Sequence, residues 1–175
     1  KGLQATEVAR DGIAVVVHPS NRINDLTMDQ LRRIFSGQIR HWRDLGGSDD
    51  VITVVSREAG SGTRISFEQI VGDLELTKEA IVQDSNGTIR ETVANDPNAV
   101  GYLSHGLLNE KIKAVTIDGV ACTNEAIQSK QYALARPIFL LTRGALLPDT
   151  QAFIDYILSV EGQQTIQSSG LIPVK

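Results

Sequence analysis

The sequence predicts a mixed α/β fold with parallel strands, because short apolar segments rich in β-branched residues alternate with amphipathic segments of helical spacing. Gly12 to Val17 (GIAVVV), Val51 to Val55 (VITVV) and Pro137 to Thr142 (PIFLLT) are the clearest apolar runs. With 175 residues, 41% of them hydrophobic, the chain can bury a real core as one domain or two small lobes.

Each element follows from local chemistry. Gly12 to Val17 is a nearly continuous apolar run ended by Pro19, which suits a buried strand. Thr27 at an N-cap has Gln30 three places on, with Leu26 and Leu31 at the positions of a hydrophobic staple, so a helix is expected from Thr27 to Phe35, ending near Gly37. Val51 to Val55 is a second strand. It leads into the loop Ser56-Arg57-Glu58-Ala59-Gly60 and then a helix from Ser61 to Val71, with Ile65, Ile70 and Val71 on its buried face. Thr77 to Val82 and Asn86 to Ala94 read as helices, the second capped by Ser85 or Asn86. Ala99 to Leu103 (AVGYL) and Ala114 to Ile117 read as strands, the latter before the turn-prone Asp118-Gly119. Thr123 to Ser129 has helical spacing, Pro137 to Thr142 suits a buried strand, and Thr150 to Val160 forms an amphipathic helix carrying Phe153, Ile154, Ile157 and Leu158.

Composition excludes several function classes. The net charge of −4 argues against a general binder of nucleic acid or anionic membrane, so an anion would have to be held by a local site. No apolar run approaches the roughly 20 residues that cross a bilayer, and the opening KGLQATEVAR has no apolar h-region of a secretory signal. Cys122 is the single cysteine, which rules out an internal disulfide and reads as a small core residue. His18, His41 and His105 have no histidine or cysteine at zinc-ligand spacing and read as surface or capping residues. Around Ser61 the outer positions are Ala59 and Thr63, so the nucleophile elbow G-x-S-x-G fails, and Gly62 runs into Thr63 without the lysine of a Walker A loop. No G-x-G-x-x-G occurs, no catalytic set emerges, and no metal or other cofactor is expected.

What remains is the strand, glycine loop and helix of VVSREAGSGTR. A helix starting at Ser61 or Gly62 points its unpaired N–H groups and positive dipole end towards the strand terminus, which suits an oxyanion. Gly60 and Gly62 let the backbone approach a ligand, Ser61 and Thr63 add hydroxyl donors, and Arg57 can supply a two-pronged donor set. The spacing leaves two readings open: an anion clamp, or an ordinary turn and cap beside a surface arginine. Asn86-Gly87-Thr88 reads as a structural cap, and Arg64 and Arg90 as solvated helix faces.

Arg57-Glu58-Ala59-Gly60-Ser61-Gly62-Thr63-Arg64, with Phe67 following, resembles the signature R-x-x-G-S-G-T-x-x-x-F of the periplasmic phosphate-binding proteins of ABC transporters, the PstS family. Leu26 to Trp42 (LTMDQLRRIFSGQIRHW) is similar to that family's L-T-x-x-Q-L-x-x-I-F-x-G-x-I-x-x-W segment, and Ala99 to Ser104 to its A-I-G-Y-x-S strand. Asp11 to Val17 resembles its first interlobe strand, Tyr132 to Ile138 its second, and Phe153 to Pro173 its closing helix and tail. These motifs follow one another in order along almost the whole chain.

The resemblance implies a type II periplasmic-binding-protein fold in which two α/β lobes close over a dehydrated oxyanion. It implies a first crossover strand in residues 1–17, a second lobe carrying the anion loop in 18–131, and a second crossover with the C-terminal part of the first lobe in 132–175. It further implies a non-enzymatic solute-binding component of a phosphate importer. The ligand would be inorganic phosphate at Arg57, Ser61, Gly62 and Thr63, the partners membrane permease subunits, and the location periplasmic or extracellular, at the membrane through the transporter or a lipid anchor. A sensory or effector domain of the same fold is the alternative function. Full members begin with a further half lobe carrying a G-S-[ST]-T loop and an acidic residue, to which nothing here corresponds. The chain is therefore expected to bind phosphate weakly, without discriminating it from sulfate. It should also expose the apolar residues of Ile138 to Leu141 and Phe153 to Leu158, with self-association through that face.

Overall fold

The computed structural model describes residues 2–72 and 74–174. In chain order its elements begin with β1 (Leu3–Val17), β2 (Asp25–Leu26), α1 (Met28–Phe35), β3 (Thr53–Arg57), α2 (Gly62–Val71) and β4 (Ile81–Gln83). There follow α3 (Asn86–Asn95), β5 (Ala99–Ser104), β6 (Lys113–Ala114), β7 (Thr116–Ile117), α4 (Asn124–Gln128), β8 (Ala135–Arg143), α5 (Pro148–Ile157) and α6 (Val160–Ser168).

One six-stranded sheet organises these elements in the order β4-β3-β5-β1-β6, with β8 pairing β1 off that path. It is mixed, not parallel throughout: β3 runs parallel to β4 and β5, whereas β1 is antiparallel to β5, β6 and β8. The apolar run at Gly12 to Val17 extends back to Leu3, giving a strand of 15 residues with two kinds of neighbour. Its C-terminal half, Ile13 to Val17, is fully buried between β5 and β6, which explains the unbroken apolar run. Its N-terminal half pairs with β8, from Leu3 opposite Arg143 to Gly12 opposite Ala135, with a register shift between Glu7 and Ala9, and Arg10 also bridges Ile172.

The helices form where local signals put them. α1 has Thr27 as N-cap in a complete capping box, Thr27 Oγ1 accepting from the Gln30 N–H at 3.1 Å and Gln30 Oε1 from the Thr27 N–H at 2.8 Å. α2 is capped by Ser61 and ends at Gly72, whose φ of 111° belongs to the left-handed region that glycine tolerates. α3 is capped by Ser85, not Asn86, in a capping box with Thr88.

Several expectations need correction. Thr77 to Val82 is not helical: a turn precedes β4, which takes its backbone partners from β3. Pro137 to Thr142 lies in β8, which alternates between half-buried and exposed residues because β1 is its only neighbour among the described strands. Thr150 to Val160 spans two helices, since Ser159 caps a new one by accepting from the Gly162 N–H. On α2 the buried residues are Thr63, Phe67 and Val71, while Ile65 is 46% exposed.

Phe67 ties the site to the core. Its ring stacks on Tyr102 of β5 at 4.1 Å and meets Phe35 of α1 edge-on at 4.8 Å, all three being fully buried. Phe67→Ala should therefore cost about 3–5 kcal/mol of unfolding free energy, while Ile65→Ala stays within about 0.5 kcal/mol. Denaturant midpoints of the two variants check this, and equal costs would mean that α2 does not dock through Phe67.

Candidate anion-binding site

β3 and β4 are parallel neighbours, and each runs directly into a helix, α2 and α3 respectively. Both helix N-termini therefore lie at the carboxyl edge of the sheet, where open α/β sheets gather ligands. The connecting turn is braced by hydrogen bonds from the Glu58 N–H to Gln83 O at 3.0 Å and from the Ser61 N–H to Glu58 O at 3.0 Å.

At the start of α2 the structure brings Ser61, Gly62 and Thr63 together. Ser61 Oγ accepts from the Arg64 N–H at 3.3 Å, leaving the hydroxyl hydrogen as a donor. The N–H groups of Gly62 and Thr63, in the first turn, have no helical carbonyl ahead of them. Neither Gly60 nor Gly62 has a positive φ, and neither is packed tightly. A Cβ at Gly60 would meet nothing within 4 Å, and one at Gly62 only Arg136 Nη1 at 3.7 Å. The fold thus tolerates a side chain at both positions.

Arg57 ends β3 with its side chain only 11% exposed. Its Nε and Nη2 donate to Glu58 Oε2 and Oε1 at 2.9 and 3.0 Å, a two-pronged ion pair, and Nη1 donates to Asn86 Oδ1 at 3.1 Å. Asn86 therefore does more than open a helix, since it receives an arginine from the neighbouring strand. Tyr102 lies beneath the strand end: its hydroxyl pairs with Ser56 Oγ at 2.8 Å and accepts from the Arg57 N–H at 3.4 Å. Burial pushes the Tyr102 phenol up, so it stays protonated at neutral pH.

Three arginines are engaged more closely than the sequence predicts. Arg64 is not a solvated face: Nη1 donates to Arg57 O at 2.9 Å and Nε to Glu68 Oε1 at 2.7 Å, so it ties the end of β3 to α2. Arg90 is likewise held near its helix, Nη1 donating to Leu107 O at 3.4 Å. Arg136 of β8 was not singled out. Its Nη2 donates to Asp11 Oδ2 at 2.8 Å and to Thr63 Oγ1 at 3.0 Å, and Nε also reaches Asp11 Oδ2 at 3.2 Å. A lone arginine inside the apolar run YALARPIFLL was the available signal, because such a residue needs a partner.

Other clusters do less. His105 is held between Asn124 Oδ1 at 2.9 Å and Cys122 Sγ at 3.6 Å, but burial pushes the Cys122 thiol up to about 12, which keeps it a thiol and not a nucleophile. Among the described residues no group of three or more His, Cys, Asp or Glu could hold a metal ion. A hollow of about 680 Å³ is lined by residues such as Arg32, Arg40 and Glu79, away from the α2 N-terminus. The donors gathered around Ser61 make the candidate site, not concavity. No helix among the described residues is long and apolar enough to cross a membrane.

Comparison with known proteins agrees with this fold. A family model described as the PBP superfamily domain matches residues 1–161. The phosphate-binding protein PstS of Bacillus subtilis is 35% identical over 176 residues, covering 99% of this chain and 59% of that protein. The phosphate-binding protein PstS 2 of Streptococcus agalactiae is 38% identical over 138 residues, covering 73% of this chain and 47% of that protein. A structure from Clostridium perfringens, described as a phosphate ABC transporter substrate-binding protein with bound phosphate, superposes with a TM-score of 0.88 at 42% identity over 99% of this chain and 72% of that one. An ABC-type phosphate transport receptor from Vibrio cholerae gives 0.92 at 34% identity over 98% and 73%. Fold and site define an α/β binding protein of the type II periplasmic-binding-protein class. The chain belongs to the PBP superfamily and, within it, to the PstS-like phosphate-binding proteins of ABC transporters. It spans less than two thirds of the curated relatives named above.

The Arg57–Glu58 pair itself responds to acid. Hydrogen bonding to the Arg57 guanidinium holds the Glu58 carboxyl below its ordinary value of 4.5. Since the folded value is the lower one, the pair contributes fully above the ordinary value, and that contribution is lost as pH falls from about 4.5 through the lowered value. Carbon-detected NMR should give Glu58 a midpoint under 4.5 that Arg57→Gln returns towards 4.5, and an unmoved midpoint would dissociate the two residues.

Proposed function

We propose that this chain binds inorganic phosphate at the start of α2, through Arg57, Ser61, Gly62 and Thr63, as the solute-binding component of an ABC phosphate importer. The observation that carries the proposal is the pair of glycines at 60 and 62, neither of which the fold requires by φ or by packing. A backbone kept bare beside unpaired helix N–H groups serves a ligand that approaches the main chain. The family membership and the phosphate bound in the Clostridium perfringens relative support the same reading.

In that role β1 and β8 are the two crossover strands, within residues 1–17 and 132–175, and residues 18–131 form the lobe that presents the anion loop. The protein works outside the cytoplasm, delivering phosphate to permease subunits and performing no chemistry on it. The chain spans 72% of the phosphate-bound relative, and in this reading its residues form one wall of the site. Binding by this chain is then weak, about millimolar, and shared with sulfate. Submicromolar, phosphate-selective binding in calorimetry would overturn this division of the site.

Gly62→Ala separates fold from function. Its stability should be unchanged or raised by up to about 1 kcal/mol, since alanine is the better helix former. The phosphate-induced shifts of the Gly62, Thr63 and Arg64 amide resonances should be lost, and a Gly62→Ala chain that binds as before would count against the site.

Phe139 and Leu141 of β8 and Phe153 and Tyr156 of α5 are exposed, Leu141 to 63%. We propose that the remainder of the first lobe covers these apolar residues in the longer relatives and that a second copy covers them in the 175-residue chain. Sedimentation should show a concentration-dependent dimer that Phe139→Ser and Leu141→Ser together abolish. A monomer at all concentrations would refute the self-association.

A further inference from the structure

We infer that Arg136 is a positioning residue for the anion site, setting the direction of the Thr63 hydroxyl from the crossover strands; the inference rests on the phosphate-binding reading above. Asp11 and Arg136 lie directly opposite each other in the β1–β8 register. Asp11 is 2% exposed and is held on its other oxygen by Ser104 Oγ, which donates to Oδ1 at 2.6 Å. The carboxylate thus fixes the guanidinium, whose Nη2 reaches Thr63 Oγ1 at 3.0 Å while Nη1 reaches Ser66 Oγ at 3.4 Å.

A guanidinium can only donate. In its bond with Arg136, therefore, Thr63 Oγ1 must be the acceptor, and the hydroxyl hydrogen is left over. Among the described residues no protein acceptor takes that hydrogen. A threonine in the first turn of a helix can spend its hydrogen on a nearby backbone carbonyl. Arg136 biases the hydroxyl away from that use, so that it adds a donor beside the Gly62 and Thr63 N–H groups. The residue also connects both crossover strands to the loop: a rotation of β1 against β8 moves the fork and with it the hydroxyl. This gives lobe closure a direct mechanical link to the ligand donors, through one side chain.

The test uses the 175-residue chain and inorganic phosphate as the probe. Nitrogen–proton spectra and amide hydrogen exchange are recorded for the unsubstituted chain, Arg136→Gln, Arg136→Lys, Thr63→Val, and Arg136→Gln combined with Thr63→Val. Arg136→Gln should shift the Gly62, Thr63 and Arg64 amides and speed their exchange about tenfold, whereas the same change in the Thr63→Val background should add little. Arg136→Lys, which keeps the charge without the planar fork, should behave like Arg136→Gln at Thr63. Additive effects, or unmoved first-turn amides in a folded Arg136→Gln chain, would overturn the inference. Should Arg136→Gln fail to fold, Arg136→Lys and Thr63→Val carry the comparison, and a Thr63→Val chain whose Arg136 side-chain Nη2–H resonances stay in place would also overturn it. In the phosphate arm, Arg136→Gln should weaken the response of the 61–63 amides about tenfold with Arg57 intact. If the unsubstituted chain shows no response, the phosphate reading fails, and the coupling between Arg136 and Thr63 is still decided by the first arm.

Discussion

A carboxylate that is 2% exposed has to be paired, and the pairing of Asp11 organises much of this molecule. Asp11 sits where β1 changes neighbours, between the half that pairs with β8 and the half buried against β5 and β6. Its two oxygens are taken by Arg136 from β8 and Ser104 from the end of β5, and Arg136 in turn touches α2. Four elements are thereby referred to one buried charge. Stranding one partner of a fully buried pair costs about 3–5 kcal/mol, and less here because Arg136 keeps 22% of its side-chain exposure. The register of β1 on β8 and the placement of the anion loop are consequently not independent.

The same contrast between local and distant partners explains what could be read from the sequence. α1 and α2 were legible because their caps, Thr27 with Gln30 and Ser61 with Arg64, lie three residues apart along the chain. The loop residues Ser61, Gly62 and Thr63 were legible for the same reason, being contiguous with the strand and helix that place them. Arg136 was not, since its partners are 125 and 73 residues away. Ile81 and Val82 are not legible as a strand because an edge strand of three residues has no periodicity of its own, and parallel pairing with β3 decides its state. Ser159 shows the limit of apolar spacing, which ran on through a position where a side-chain cap starts a new helix.

The half of β1 that pairs with β8 shows what one-sided burial does to a strand. Ile13 to Val17 need no polar side chains, because sheet neighbours flank them and helices cover them. Among the described strands Leu3 to Glu7 and Phe139 to Arg143 pair with each other alone, so their apolar residues divide between half-buried and exposed faces. Phe153 and Tyr156 of α5 add to the exposed apolar surface. Apolar surface of this kind, each side chain worth about 1.5–3 kcal/mol when fully buried, favours a covering partner more strongly than it favours water.

The charges around the α2 N-terminus decide how an anion can be held there. Three guanidinium groups surround it, and each already has a carboxylate: Arg57 with Glu58, Arg64 with Glu68 and Arg136 with Asp11. The surroundings are thus balanced pair by pair, within a chain of net charge −4, so attraction by overall field is weak. What remains for an oxyanion is a set of oriented donors: the Gly62 and Thr63 N–H groups, the Ser61 and Thr63 hydroxyls, and whatever the Arg57 fork keeps free of Glu58 and Asn86. Donors of this kind reward a ligand for its shape and its acceptor positions more than for its charge. Their value also rises as water leaves, because a hydrogen bond strengthens in a low local dielectric and an exposed helix terminus contributes only about 0.3–1 kcal/mol. If phosphate is held there as proposed, a site so balanced would be poor when open and good when covered, so that covering the loop, and not the loop by itself, would generate affinity.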